Sequence, residues 1–196
     1  MSSVIYNKTY LQPPFSKSEI LRYAGCKTAD TQINELLEWA LKEVEGKLSY
    51  KVCYRELCVT VSGNNCDFGL FSLKSQNLAL NLKDVSSVVL FAATIGIELD
   101  RLVAKYGHIS PSRAVMLQAV GAERIEALCD MFCSALAKEK GAVLKPRFSA
   151  GYGDLSLEAQ RDIFRFLDCP RQIGLSLSDS LLMSPSKSVT AFVGLV

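Results

Sequence analysis

Apolar residues recur along this chain first with a helical period and then with a strand period. After Pro13-Pro14, Ser16 and Glu19 stand three apart, a capping-box spacing that predicts a short helix ending near Gly25. Asp30 is placed to cap a second helix. In it Ile33, Leu36, Leu37, Ala40, Leu41 and Val44 share a face before Gly46 stops it. The β-branched and aromatic stretches at 50–54 and 57–61 predict strands, Gly63-Asn64-Asn65 a turn, 66–73 a further strand and 75–82 a short helix.

The nearly continuous apolar run at 86–94 predicts a buried strand. It leads into a helix that opens at Ile95-Gly96-Ile97-Glu98-Leu99-Asp100 and reaches about Tyr106. Ser110-Pro111 starts the longest helix, to about Lys140, with Val115, Val120, Ile125, Leu128, Cys129, Phe132 and Leu136 on its apolar side and Gly121 marking close packing. A strand at 143–148, a Gly/Tyr loop, a helix at 156–167 and two terminal strands complete the reading. The last strand, 188–195, puts Val189, Ala191, Val193 and Leu195 on one face. Helices and strands do not alternate regularly, which predicts an α+β fold, a largely antiparallel sheet with flanking helices, in a single domain over 1–196.

Composition narrows the function classes. A net charge of +2 supplies no field that would call for nucleic acid, and no apolar run nears the roughly 20 residues of a membrane span. The N-terminus lacks the apolar core and cleavage site of a signal peptide, so a cytoplasmic protein is expected. The cysteines at 26, 53, 58, 66, 129, 133 and 169 include no Cys-x-x-Cys pair and are expected to be reduced thiols, most of them buried. His108, the single histidine, has no visible partners for a catalytic triad. Glu98 and Asp100 suit a helix start; Lys42, Glu43 and Glu45 read as a solvated face and Trp39 as core.

One segment carries chemistry: Arg147-Phe148-Ser149-Ala150-Gly151-Tyr152-Gly153-Asp154. Small residues let a ligand approach backbone N–H and C=O groups, a guanidinium takes a carboxylate in bidentate fashion, and a tyrosine offers a ring face or a hydroxyl. The combination suits a ligand with an amino-acid head and a positive centre. A plain strand-to-helix turn with Arg147 on the surface is the alternative.

Together with a second motif at 177–189, this segment resembles the reactivation (activation) domain of cobalamin-dependent methionine synthase. That family has Arg-Pro-Ala-Pro-Gly-Tyr where this chain has Arg147 to Tyr152, then a helix and a Leu-Thr-Glu-Ser-Phe-Ala-Met-x-Pro-x-x-Ser-Val stretch. Here the latter reads Leu177-Ser178-Asp179-Ser180-Leu181-Leu182-Met183-Ser184-Pro185-Ser186-Lys187-Ser188-Val189. The similarity covers about 86–195 and is greatest to free-standing forms of the domain; the first 80 residues carry no motif that aligns.

The resemblance implies an accessory subunit for reductive reactivation. It would bind S-adenosylmethionine and dock over the cobalamin of a partner, a methionine synthase lacking its own activation domain. A flavodoxin-like donor would reduce cob(II)alamin, and the sulfonium methyl would trap the product. By position Arg147 would take the ligand carboxylate, Ser149 and Ala150 would contact it through backbone, Gly151 would permit close approach, and Tyr152 would lie near the adenosyl or sulfonium part. Glu123 of Glu123-Arg124 would match the first acid of the family's Asp-Arg-x-x-Glu pattern. The second acid falls on Ala127, with Glu126 one place early and expected to face about 100° away. Phe148 and Ala150 replace two prolines of the family loop, which is expected to loosen the turn, and the family's tyrosines beyond the last strand have no counterpart. A corrinoid-docking module without S-adenosylmethionine is a second reading. An independent methyltransferase is a third, disfavoured because a Gly-x-Gly-x-Gly turn is missing.

Overall fold

The computed structural model describes residues 4–26 and 28–196. Strand β6 (Ser87–Thr94) sets the architecture, because its residues 88–94 are all buried. Val89, Phe91 and Ala93 face one hydrophobic core and Val88, Leu90 and Ala92 the other. A strand covered on both faces has to be central. It lies between β2 (Tyr50–Cys58) and β9 (Ser188–Leu195), with β1 (Tyr6–Tyr10) beyond β2, and every pairing is antiparallel. The fold is α+β, an antiparallel sheet with flanking helices.

The first face packs against α1 (Lys17–Tyr23), α2 (Thr31–Val44), α4 (Glu98–Ile109) and α5 (Pro111–Lys140). The Phe132 ring of α5 lies 4.8 Å from that of Phe91 and 5.3 Å from that of Tyr54. The second face carries α3 (Gln76–Asn81), α6 (Ala159–Leu167), α7 (Cys169–Ile173) and a small sheet of β3 (Thr60–Ser62), β4 (Asn65–Asp67) and β5 (Ser72–Lys74). A short hairpin, β7 (Ser176–Leu177) and β8 (Met183–Ser184), precedes β9.

Several local expectations change in the folded chain. Edge strand β1 is invisible to patterning because Asn7, Lys8 and Thr9 are polar; its place comes from pairing with β2 and from Tyr6 stacking on Tyr54 at 5.2 Å. The strand expected at 50–54 runs on to Cys58 as β2, since Arg55 is covered by the Phe166 ring at 4.5 Å and Glu56 is paired with Lys140, and the rest of the strand expected at 57–61 passes into β3 of the small sheet. The strand expected at 66–73 is a hairpin, β4 turning into β5 at Gly69. Residues 143–148 form no regular strand. They run along the edge of β9 through bridges at Leu144 and Phe148, with Pro146 unable to donate between them. Val115 is 57% exposed, not on the apolar side: five residues before Val120, it lies about 140° round the helix. Helix α4 also outruns its expected end and reaches Ile109.

The capping box of α1 does not close. The Ser16 hydroxyl bonds Ser18, Glu19 pairs with Arg22, and the Ser16 N–H is taken by Glu123 of α5 at 3.1 Å. The Asp30 cap does form, accepting from Ile33 N–H at 2.8 Å.

Gly121 does mark close packing. A Cβ there would stand 2.1 Å from Leu99 Cδ2 and 3.0 Å from Lys187 Cγ, and Leu99 is itself buried. Gly121→Val should therefore destabilise the fold by about 1–3 kcal/mol, the usual range for overpacking. Denaturant titration would show this; an unchanged midpoint would mean that the contact between α4 and α5 relaxes freely.

Candidate functional site

The 147–154 segment leaves the edge of β9 and turns sharply. Phe148 exchanges both backbone bonds with Phe192, at 3.0 and 2.8 Å, so a residue expected to loosen the turn anchors it: proline could not donate here. Tyr152 N–H then returns to Ser149 C=O and Gly151 N–H to Leu155 C=O. Gly151 and Gly153 have φ of +88° and +54°, the left-handed region that favours glycine, and a Cβ on Gly153 would meet Asn77 Nδ2 at 2.0 Å. Among the described residues the Ser149 and Ala150 N–H groups have no protein acceptor. Tyr152 is 70% exposed.

Asp154 fixes the far end of the loop. Its carboxylate accepts from Ser75 Oγ at 2.5 Å, Gln76 N–H at 2.7 Å and Asn77 N–H at 3.1 Å, so it caps α3 from a distance of 77–79 residues along the chain. These bonds, the Ser75 hydroxyl first, hold its carboxyl below the ordinary aspartate value.

Arg147 reaches α5. Its Nη1 donates to Asp130 at 2.6 Å and its Nη2 to Glu126 at 2.7 Å. Partial burial opposes the guanidinium charge, but the Asp130 bond and the surrounding negative charge outweigh it and hold its pKa above the ordinary arginine value. Glu126 therefore does not turn away from the site, as a register one place early suggests; with Asp130 it draws the loop onto the helix.

Glu126 and Asp130 also line a cleft of about 390 Å³ between α5 and the segment leading into α1. Pro13, Pro14, Ser16 and Glu19 form one wall; Glu123, Ala127 and Met131 continue the other. Four carboxylates line it, and three guanidinium groups answer them: Arg22 for Glu19, Arg124 for Glu123, and Arg147 for both Glu126 and Asp130. One negative charge is left over, an electrostatic setting that favours a cationic group. Glu123 itself is 4% exposed, with its oxygens committed to Arg124 and to Ser16 N–H; it builds the wall rather than reaching across the cleft.

The 177–189 segment docks nearby on α4 and α5. Asp100, expected only to favour a helix start, accepts from both the N–H and the hydroxyl of Ser186. Lys187 lies across Gly121, and Ser188 bonds Thr94 at 2.9 Å. Sequence reasoning misses Asp130 and the whole N-terminal wall. Pro13-Pro14 before a helix is the only local sign of the latter, and it carries no chemistry by itself. The thiols of Cys53, Cys66, Cys129 and Cys169 are buried, and among the described residues no group of His, Cys, Asp and Glu is placed to hold a metal. No helix among them is long and apolar enough to cross a membrane.

No protein-family model matches this chain, and no curated protein matches it in sequence. Solved structures do match in shape. A crystal structure of the MetH reactivation domain bound to AdoHcy superposes with a TM-score of 0.71, covering 97% of this chain and 78% of that one, at 14% sequence identity. The fold is that of the MetH reactivation domain.

The Asp154 cap has a pH consequence. A carboxyl whose pKa is lower folded than unfolded contributes stability above its unfolded pKa and loses it as pH falls through the folded value. Asp154→Ala should lower the thermal midpoint at pH 7 by roughly 2–4 °C, and the gap to wild type should close below about pH 4. A pH-independent gap in thermal melts would assign the effect to packing instead.

Proposed function

We propose that this chain, on the fold of the MetH reactivation domain, binds S-adenosylmethionine and serves a cobalamin-dependent methionine synthase in trans. The observation that carries this reading is the pair of ion pairs by which Arg147 ties the 147–154 loop to Glu126 and Asp130 of the acid-lined cleft. The loop offers two N–H groups and a glycine-opened backbone; the cleft carries an uncompensated negative charge suited to a sulfonium or ammonium. The AdoHcy seen in the structurally similar domain is the demethylated form of the proposed ligand.

In this reading Arg147 orients the ligand carboxylate while Asp130 and Glu126 keep the guanidinium in place, and the Ser149 and Ala150 N–H groups hold the ligand against the backbone. The chain's own work is positioning, since none of these groups is set up as a general acid or base. Cobalamin, carried by the partner, would supply the redox and methyl-accepting chemistry. Tyr152 and Leu157 are 70% and 43% exposed, and a Cβ on Gly151 would stand 3.3 Å from Leu157 Cδ1. This apolar edge suits a surface that closes over a partner's cofactor and excludes water. The partner is then a methionine synthase lacking its own activation domain, with a flavodoxin-like protein as donor.

A second reading, a corrinoid-docking module without S-adenosylmethionine, is favoured by one feature: Arg147 already holds two carboxylates. Calorimetry separates the two. Saturable binding of S-adenosylmethionine or S-adenosylhomocysteine, weakened at least tenfold by Arg147→Ala, is expected for the first reading. No binding at millimolar ligand favours the second.

Action in trans makes a separate prediction. With truncated synthase in the cob(II)alamin state, reduced flavodoxin and S-adenosylmethionine, methylcobalamin should accumulate only when this protein is added. The rate should saturate with its concentration, since a protein acting in trans meets its partner by diffusion rather than through a linker. Equal conversion without it, followed in the cobalamin spectrum for a cognate synthase, sinks the proposal.

A further inference from the structure

Two adjacent residues of α5 build the N-terminal wall of the cleft. The Arg124 side chain is completely buried. Its Nη1 donates to Pro13 C=O at 2.5 Å and its Nη2 to Pro14 C=O at 2.7 Å, while Nε meets Glu123 Oε2 at 2.5 Å. Glu123 Oε1 in turn accepts the Ser16 N–H at 3.1 Å, and the Phe15 ring lies 4.1 Å from the guanidinium carbon. Four consecutive residues, 13–16, are thus held by one ion pair.

No sheet or helix could do this. Prolines 13 and 14 have no N–H, so the strap cannot pair as a strand, and its two carbonyls need a donor that reaches them side by side. A guanidinium has that planar fork; an ammonium does not. An ion pair taken wholly out of water is a poor source of stability, because desolvation cancels most of its attraction. What it supplies is a fixed position for groups that would otherwise have several.

We infer that Arg124, through the carbonyls of Pro13 and Pro14 and through Glu123, is a positioning residue that holds the 13–16 strap against α5 and so forms the ligand cleft. This rests on the proposed S-adenosylmethionine site for its consequence in binding, but the strap itself can be followed without ligand. Arg124 touches no ligand; it acts through the wall it holds.

The test compares the full chain with Glu123→Leu/Arg124→Met, an apolar pair of similar size, and with Arg124→Lys, which keeps the charge but loses the fork. Three quantities are read: thermal midpoint, hydrogen–deuterium exchange of the 11–26 peptide against peptides of α5 and β6, and S-adenosylhomocysteine affinity by calorimetry. Both variants should keep a midpoint within about 5 °C of wild type and unchanged exchange in α5 and β6. Exchange of 11–26 should rise at least tenfold in the double variant and less in Arg124→Lys, and affinity should fall in the same order. Unchanged exchange in 11–26, or exchange that rises equally everywhere with a collapsing midpoint in Arg124→Lys, overturns the inference. Should the double variant not fold, Arg124→Lys decides alone. If wild type binds no ligand, the proposed function fails while the exchange arm still decides the strap.

Discussion

Strand β6 is buried on both faces over 88–94, and covering it dictates most of the molecule. Apolar side chains alternate to opposite sides of a strand, so a run without polar residues demands a hydrophobic layer above and below. Helix α5 supplies the spine of one layer, with Leu117, Val120, Leu128, Phe132 and Leu136 buried along it. Helices α3, α6 and α7 with the small sheet supply the other. The 147–154 segment is suspended between these layers: Arg147 ties it to α5 on one side, and Asp154 ties it to α3 on the other.

The polar architecture is less economical than the apolar one. Helix α5 carries Glu123 and Arg124 inside the protein and Glu126 and Asp130 at its rim, all engaged with chain segments far away in sequence. A stable helix needs none of this. Buried charges with fully assigned partners constrain where the Pro13–Pro14 strap and the Arg147 loop can lie. The result is a cleft walled by α5 and by the Pro13–Pro14 strap with the start of α1, with one surplus negative charge. That arrangement is what the proposed ligand chemistry depends on.

The strongest apolar patterns are legible in the sequence: α2 with its Asp30 cap, the buried run of β6, the long α5 and the alternation of β9. The two short motifs at 147–152 and 177–189 likewise point to the observed fold, that of the MetH reactivation domain, although identity to the similar solved structure is 14%. The partnerships are not legible in this way. Glu19 stands at capping-box spacing, yet Glu123 takes the Ser16 N–H, because a buried carboxylate competes for that donor better than a solvated one. Glu126 is one place out of register for the family's acid, yet a long side chain on a rim position still reaches Arg147.

Local pattern thus determined the main helices and the central strands, the antiparallel α+β class, and that residues 147–152 form a small-residue loop led by a guanidinium. Those properties depend on propensity and periodicity over a few neighbouring residues. Only the tertiary structure decided that β1 joins the sheet, that 143–148 rides the edge of β9, that Asp154 caps α3, and that Pro13, Pro14 and Asp130 share a cleft. Each of these is a pairing of groups far apart in the chain. Such a pairing forms because burial leaves its polar groups no water to bond, and nothing in the local sequence says which distant partner will be there.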